Sequence, residues 1–107
     1  RLRKEEGLLD WSRPAALLAR QVRAFSPWPG AYTFWQSRQL TILEAQPLPP
    51  GQEAASPGDV FAVDGAAAVA AGEGALLLRR VQLAGKQPLP IETFLRGARG
   101  FVGSRLG

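Results

Sequence analysis

After Gly30 the chain is divided by glycine, proline and other turn-forming residues into short apolar runs, and this division constrains the fold more than any other feature. Aromatic, β-branched and apolar content predicts strands at residues 31–35, 39–46, 60–63, 67–71 and 76–83, with a candidate last strand at 101–106. The predicted connections are turns at 36–38, 64–65 and 72–74 and a proline-containing loop at 47–59. Short strands at about ten-residue spacing favour a small barrel over a parallel α/β sheet.

Two helices are predicted outside this region. Ser12 is the expected N-cap of the first helix, and Pro14 is tolerated in its first turn. The helix must end before Ser26-Pro27, because the residue preceding a proline is pushed out of the helical region. A second, short helix is predicted at residues 91–96, with Gly97 at the C′ position.

The first helix is predicted to have one apolar face and one basic face. Leu18, Val22 and Phe25 are spaced to form one apolar stripe. At 100° per residue, three arginines fall on the opposite side within about 80° of each other: Arg13, Arg20 and Arg23. We therefore expect the apolar face to pack on the barrel and the basic face to be exposed.

Composition excludes several kinds of chemistry. The chain has no Cys, no His and no Asn, so disulfides, cysteine- or histidine-based zinc sites and histidine acid–base catalysis are absent. The candidates for paired carboxylates, Glu5, Glu6, Asp59, Asp64 and Glu73, fall in predicted linker and turn positions, where no catalytic role is expected. The segment GEGALL at 72–77 lacks the third glycine of a dinucleotide fingerprint and precedes a strand, so it is interpreted as a hairpin turn.

Length and termini bound the organisation of the chain. Its 107 residues are the size of one domain. No apolar run approaches the roughly 20 residues of a membrane span, and no signal-peptide pattern is found. Because Met is absent and residue 1 is Arg, we expect a piece of a longer protein or a processed product. The highly charged residues 1–10 are predicted to be an interdomain linker, and residues 11–107 the domain.

Charge is unevenly distributed along the sequence. Residues 1–38 have seven Lys/Arg and three Asp/Glu, a net charge of +4. Residues 39–78 have no Lys/Arg and five Asp/Glu (−5), and residues 79–107 have six Lys/Arg and one Glu (+5). The three segments sum to the net charge of +4. If the fold brings the two ends together, they form a basic face suited to phosphate. The alternative is an ordinary solvated surface in an arginine-rich proteome, because eleven of the basic residues are Arg and two are Lys.

The segment RAFSPWPGAYTF at 23–34 permits two interpretations. Its aromatic side chains could stack on bases, but stacking requires exposure. In the alternative, which we favour, the segment is a structural corner. Phe25 completes the helix stripe, Tyr32 and Phe34 belong to the core, and Trp28 covers its edge. Arg23 is then the expected RNA contact of this segment.

Seven segments in order along nearly the whole chain resemble the C-terminal domain of methionyl-tRNA formyltransferases. They are DWSRPA (10–15), VRAF (22–25), PWPGAYTF (27–34), GDVFAVDG (58–65), GEGALLLRRVQLAGK (72–86), FLRG (94–97) and GSRLG (103–107). The resemblance implies a mainly β fold: a small open Greek-key barrel, similar to an OB-fold, with one N-terminal α-helix and a short C-terminal helix.

The resemblance also implies a function. In that family, catalysis belongs to a preceding domain that uses Asn, His and Asp, and the enzyme transfers a formyl group from 10-formyltetrahydrofolate to methionyl-initiator tRNA. This chain lacks Asn and His, so no catalytic residue, metal or cofactor is assigned to it. The implied partners are tRNA and the chain's own N-terminal catalytic domain, in a cytoplasmic, monomeric protein with no membrane association.

The RNA-binding residues predicted on this basis are basic ones: Arg1, Arg3, Lys4, Arg13, Arg20, Arg23, Arg38, Arg79, Arg80, Lys86, Arg96 and Arg99. Two alternatives remain at this point. The barrel is a stand-alone interaction module, or it is the C-terminal barrel of a sibling formyltransferase that acts on a nucleotide sugar or on formyl-folate. SPWPGAYTF fits the tRNA branch better than the sibling branches.

Overall fold

A computed structural model describes residues 3–51 and 55–107. Its elements, in chain order, are a 3-10 helix at Lys4–Gly7, α1 at Ala15–Phe25, β1 at Ala31–Trp35, β2 at Arg38–Leu48, β3 at Val60–Val63, β4 at Ala66–Ala70, β5 at Ala75–Leu83, β6 at Leu89–Pro90 and α2 at Ile91–Gly97. The predicted fold class is confirmed: the chain is mainly β, with one N-terminal α-helix and a short C-terminal helix. Neither α-helix of the described residues is long and apolar enough to cross a membrane.

The strands form one antiparallel sheet in the order β1-β2-β5-β4-β3, and β6 also pairs with β5. Successive hairpin connections join β3, β4 and β5, while β2 lies beside β5 and reaches β3 through a long connection. This order is a Greek key. Together with α1 packed on β2 and β5, it gives an open sheet consistent with a small OB-like fold.

The C-terminal tail closes the gap between the two edges of the sheet. The Gly107 amide donates to the Phe34 carbonyl of β1 at 2.9 Å, and the Val60 amide of β3 donates to the Ser104 carbonyl at 2.9 Å. The tail therefore satisfies backbone groups that an exposed sheet edge would leave unpaired. The predicted last strand at 101–106 is wrong, because positive φ at Gly103 (94°) interrupts the tail and only an isolated bridge forms.

Turn chemistry explains the strand boundaries. Gln36 and Ser37 have φ of 52° and 66°, and Asp64 and Gly65 have φ of 45° and 80°. Two successive positive φ values are typical of two-residue hairpin turns, whose twist matches that of the strands. β2 is longer than predicted and includes Pro47. The register explains this, because β1 pairs only with the first half of β2 and leaves its second half free on that side.

The buried face of β1 is opposite to the one predicted. Ala31, Thr33 and Trp35 are buried, whereas Tyr32 and Phe34 are half-buried and contact each other edge to face at 5.8 Å between ring centroids. The fully buried Thr33 hydroxyl accepts a hydrogen bond from the Trp11 indole N–H at 3.0 Å. That bond satisfies the polar group and lets a threonine, rather than an aromatic residue, lie in the core.

The first helix begins later than predicted, and Ser12 is not its N-cap. The Ser12 amide and hydroxyl both donate to the Asp10 carboxylate, at 3.0 and 2.7 Å. These two bonds, more than any other contact, lower the pKa of Asp10. The N-cap is Pro14, whose side chain cannot accept a hydrogen bond. Instead, the Ala15 amide donates to the Glu73 carbonyl of the β4–β5 turn at 2.9 Å.

The short second helix also differs from prediction at its end. Gly97 is its last helical residue and does not adopt the left-handed conformation of a C′ glycine. The C-cap is Ala98, with φ −107°.

Residues 3–10 pack against the barrel. The Leu9 amide donates to the Tyr32 carbonyl at 2.8 Å, and the Gln21 side chain donates to the Glu6 carbonyl at 2.9 Å. Gly7 is buried where its backbone crosses the start of β1, so close that a Cβ on it would lie 2.1 Å from the Gly30 carbonyl oxygen. This crossing requires glycine at position 7.

Gly7→Ala should therefore destabilise the protein. The added methyl cannot fit against a backbone oxygen, and we expect the free energy of unfolding to fall by about 1–3 kcal/mol, the usual cost of overpacking. Chemical denaturation followed by circular dichroism measures the change. Gly97→Ala is the matched control, because a Cβ there meets nothing within 4 Å. Equal stability of Gly7→Ala and the parent chain would show that residues 3–10 do not hold this position.

Candidate nucleic-acid interface

Four of the predicted RNA-binding residues converge on one cleft. It has a volume of about 650 Å³ and lies between the β1–β2 hairpin, the β5–β6 connection and the end of α2. Among its described lining residues there is no carboxylate, and the basic ones are Arg38, Lys86, Arg96 and Arg99. All four are exposed. The cleft therefore gathers four basic side chains around one opening without a carboxylate among its described lining residues.

Local structure positions each of the four cations. Arg38 is the first residue of β2, directly after the two-residue turn. In the β5–β6 connection, the Lys86 amide donates to the Leu83 carbonyl and the Lys86 carbonyl accepts from the Gln82 side chain, both at 2.9 Å. Arg96 is in the last turn of α2, and Arg99 follows it. The β1–β2 hairpin, the β5–β6 connection and the end of α2 thus each place basic side chains at the opening of the cleft.

The inner wall of the cleft is part of the hydrophobic core. Trp35 and Phe94 line it and are 5% and 6% exposed. Both contact Phe101 edge to face, with ring centroids 5.4 and 5.0 Å apart. The rim adds two amides and a hydroxyl, from Gln36, Gln87 and Thr93. Sequence reasoning missed these three polar residues, because nothing in the sequence marks them as neighbours of the four cations.

The three arginines assigned to one helix face do not share it. Arg13 precedes α1 and lies in the turn before it. It still lines a shallow groove with Arg20, but Glu6 lines the same groove. Arg23 lines a different depression, on the β2 side of the helix. The predicted basic stripe is therefore two smaller groups separated around α1.

Arg79 and Arg80 lie beside compensating groups. Arg79 shares the depression of Arg23, which Glu44 also lines, and its Nε donates to the Gln46 side chain at 3.0 Å. Arg80 is half-buried and pairs in register with Glu44 of β2. Of the other predicted residues, Arg3 and Lys4 are exposed in the N-terminal segment, and Arg1 lies outside the described residues.

Arg105, in the tail, is engaged in the fold. Its Nε donates to the Asp59 carboxylate at 2.8 Å, forming an ion pair across the barrel closure. This hydrogen bond, followed by one from the Ser56 amide, holds the pKa of Asp59 below its ordinary value of 3.8. The same pair raises the pKa of Arg105.

The Asp59–Arg105 pair should make part of the stability depend on acid pH. Because the folded state lowers the pKa of Asp59, its contribution is present above pH 3.8 and is lost as the pH falls through the lower folded-state pKa. Asp59→Asn should reduce the melting temperature at pH 7, and the difference from the parent chain should disappear in strong acid. Differential scanning calorimetry over this pH range measures it.

Asp64→Asn is the control for this effect, because asparagine also tolerates the positive φ of the β3–β4 turn. It should not reproduce the pH-dependent difference. A melting temperature of Asp59→Asn that matches the parent chain at pH 7 would contradict a stabilising role for the pair.

In the aromatic segment at 23–34, exposure separates the candidates for stacking. Phe25 is half-buried and packs on the core, and Tyr32 and Phe34 are half-buried. Trp28 is 67% exposed and does not cover the core edge as predicted. The corner interpretation is correct for Phe25, which ends α1, and wrong for Trp28.

Within the described residues, no group of three or more Asp or Glu side chains could hold a metal ion. The cleft combines four basic side chains with an apolar wall and a rim of hydrogen-bonding groups. Such an arrangement can bind phosphate-bearing ligands.

Comparison with known proteins identifies related domains. The formyl transferase C-terminal domain family matches residues 1–99. Methionyl-tRNA formyltransferase from Roseiflexus castenholzii is 43% identical over 106 residues, covering 99% of this chain and 34% of that protein. The enzyme of the same name from Thiobacillus denitrificans is 45% identical over 108 residues, covering 100% of this chain and 35% of that protein. The chain thus spans about a third of the length of these curated relatives.

Solved structures show the same fold. HypX from Aquifex aeolicus, in complex with tetrahydrofolic acid, matches with a TM-score of 0.71 at 22% identity, over 97% of this chain and 19% of that one. At this identity the likeness concerns the fold alone.

Proposed function

The chain belongs to the formyl transferase C-terminal domain family, and we propose that it is the tRNA-binding C-terminal domain of a methionyl-tRNA formyltransferase. In this proposal it binds and orients initiator Met-tRNA in the cytoplasm, as a monomer. A preceding catalytic domain transfers the formyl group from 10-formyltetrahydrofolate, which prepares the tRNA for translation initiation. The names of the relatives at 43% and 45% identity favour this enzyme over sibling formyltransferases.

The observation that carries the proposal is the cleft lined by Arg38, Lys86, Arg96 and Arg99 without a carboxylate. RNA is attracted to such a surface because bound cations displace counterions from its phosphates. The other basic groups around α1 each include an acidic neighbour, which reduces their field. A basic cleft on a barrel of this family therefore supports RNA, rather than another protein domain, as the main partner.

The proposal divides labour between two domains. This chain supplies neither the Asn nor the His that the family resemblance assigns to catalysis. Its contribution to rate would be positional: holding the acceptor so that its amino group reaches the formyl donor. Correct positioning of two reactants can lower the activation barrier of a reaction by several kcal/mol. Here that reaction is the formyl transfer in the preceding domain.

Binding of the chain to tRNA should weaken steeply with salt. Four phosphate contacts, one for each cation of the cleft, predict a slope of log K against log salt of roughly −3 to −4. Fluorescence anisotropy of labelled initiator tRNA, titrated at several salt concentrations, measures the slope. Because backbone contacts carry no sequence information, an elongator tRNA should bind this chain with similar affinity.

Two outcomes would overturn the proposal. One is no detectable binding of any tRNA at low salt. The other is binding that does not weaken as salt is raised, which would mean that the basic residues are not in contact with phosphate. Either result would favour the alternative of a protein-interaction module.

A further inference from the structure

We infer that the cleft between the β1–β2 hairpin and α2 binds one unpaired nucleotide of the RNA, with the base inside and its flanking phosphates on the surrounding cations. The inference deepens the proposed function and rests on it for the choice of RNA as partner. It goes beyond general attraction to phosphate, because it assigns the cleft to single-stranded rather than duplex RNA.

The size of the cleft is the first argument. Phosphate contacts on a duplex need only exposed cations on a flat or gently curved surface. A cavity of about 650 Å³ instead lies within the range of about 300–1,000 Å³ in which small molecules bind in clefts. It therefore has room for a base and a sugar and not only for a phosphate oxygen.

The distribution of chemistry within the cleft is the second argument. Its wall is apolar, formed by Trp35, Phe94 and Leu89, while amides and a hydroxyl lie among the lining residues. The cations belong to the hairpin, the β5–β6 connection and the end of α2, so charge surrounds the opening. A nucleotide has the matching pattern of an apolar ring with polar edges and anionic groups on both sides.

The requirement for an unpaired nucleotide follows from the concave shape. In a duplex the bases are stacked and their pairing edges are occupied, and the major groove of A-form RNA is too deep and narrow for side chains to read. Protein modules that recognise bases in RNA therefore mostly bind single-stranded loops and ends, where a base can leave the stack. A single-stranded segment can enter this cleft, whereas a continuous duplex can contact only its rim.

Gly97→Phe tests the inference without changing charge. Gly97 lines the cleft, its Cβ position is open, and its φ is not in the left-handed region, so the added ring should occupy the cleft and leave the fold intact. The matched control is Ala24→Phe, which adds the same ring to the exposed groove on α1. The probes are a short single-stranded oligoribonucleotide and the blunt duplex made from it.

We expect Gly97→Phe to weaken binding of the single strand by about tenfold or more, because base contacts of this kind are worth about 1–3 kcal/mol. The duplex should lose much less affinity, and Ala24→Phe should change neither. Equal losses for strand and duplex, or no loss for the strand, would overturn the inference. Melting temperatures of both variants verify that they fold.

A second experiment locates the ligand directly and does not depend on a bulky substitution. Trp35 lines the cleft, and its buried indole N–H has no hydrogen-bond partner among the described residues, whereas the Trp11 indole N–H is bonded to Thr33. Titration with the single strand should shift the Trp35 indole NMR signal and leave that of Trp11 in place. A strand that binds without moving the Trp35 signal lies elsewhere, and the inference fails.

Paired charge reversals separate failure of the inference from failure of the proposed function. Arg96→Glu with Arg99→Glu should abolish strand binding, whereas Ala16→Glu with Ala24→Glu, which adds two carboxylates on the exposed side of α1, should retain most of it. If tRNA still binds the parent chain but Arg96→Glu with Arg99→Glu does not change the affinity for the single strand, only the inference is wrong. If neither tRNA nor strand binds the parent chain, the proposed function fails too. A third outcome is that all variants bind RNA as the parent chain does, but Arg96→Glu with Arg99→Glu lowers the melting temperature of the full-length enzyme. In that case the cleft contacts the preceding domain, and the inference is overturned.

Discussion

Edge-to-face packing of Trp35, Phe94 and Phe101 is the contact on which both the barrel and the cleft depend. The three rings come from β1, α2 and the start of the tail, and their centroids are 5.0–6.0 Å apart. Such pairs contribute about 0.5–1.5 kcal/mol each beyond the burial of their area. Phe101 is fully buried, so it fixes the tail and α2 on the sheet at the same point. The cleft lies on the outer side of this cluster: Trp35 and Phe94 form part of its wall, and the β1–β2 hairpin and the end of α2 place three of the four cations around it.

Closure of the barrel depends on backbone hydrogen bonds more than on charge. The tail donates to β1 through Gly107 and bonds to β3 through Gly103 and Ser104. In the accompanying Asp59–Arg105 pair the side chains are 34% and 64% exposed, and ion pairs at the surface contribute only about 0–1 kcal/mol. Its role is to neutralise one cation at the closure. Because Arg105 is paired with Asp59, it is less available to an anionic ligand than the four cations of the cleft, and the proposed interface does not include it.

Periodicity and turn chemistry were enough to predict α1, the five longer strands and most turns, because each depends on neighbours within a few residues. Errors arose where a specific partner decided the outcome. Ser12 is held by Asp10 and so is not an N-cap, and Thr33 is buried in place of Tyr32 because Trp11 donates to it. The cleft was beyond such reasoning for a stronger reason. The individual cations were predicted, but their convergence depends on three segments whose approach is set by the aromatic cluster.

The position of the carboxylates in the acidic middle of the chain leaves the positive charge of the cleft uncompensated. Residues 39–78 hold five of the nine carboxylates, yet none of the described ones lines the cleft. Glu44 lies opposite Arg80, and Asp59 binds Arg105, so these carboxylates offset cations elsewhere on the barrel. At physiological salt, charges farther away than about 8 Å are largely screened. A modest net charge of +4 is therefore compatible with a strong local field, and that local field, not the total, determines where a phosphate group would be attracted. This local field attracts any phosphate, so in the proposed function discrimination among RNA segments must come from the shape of the cleft behind the cations.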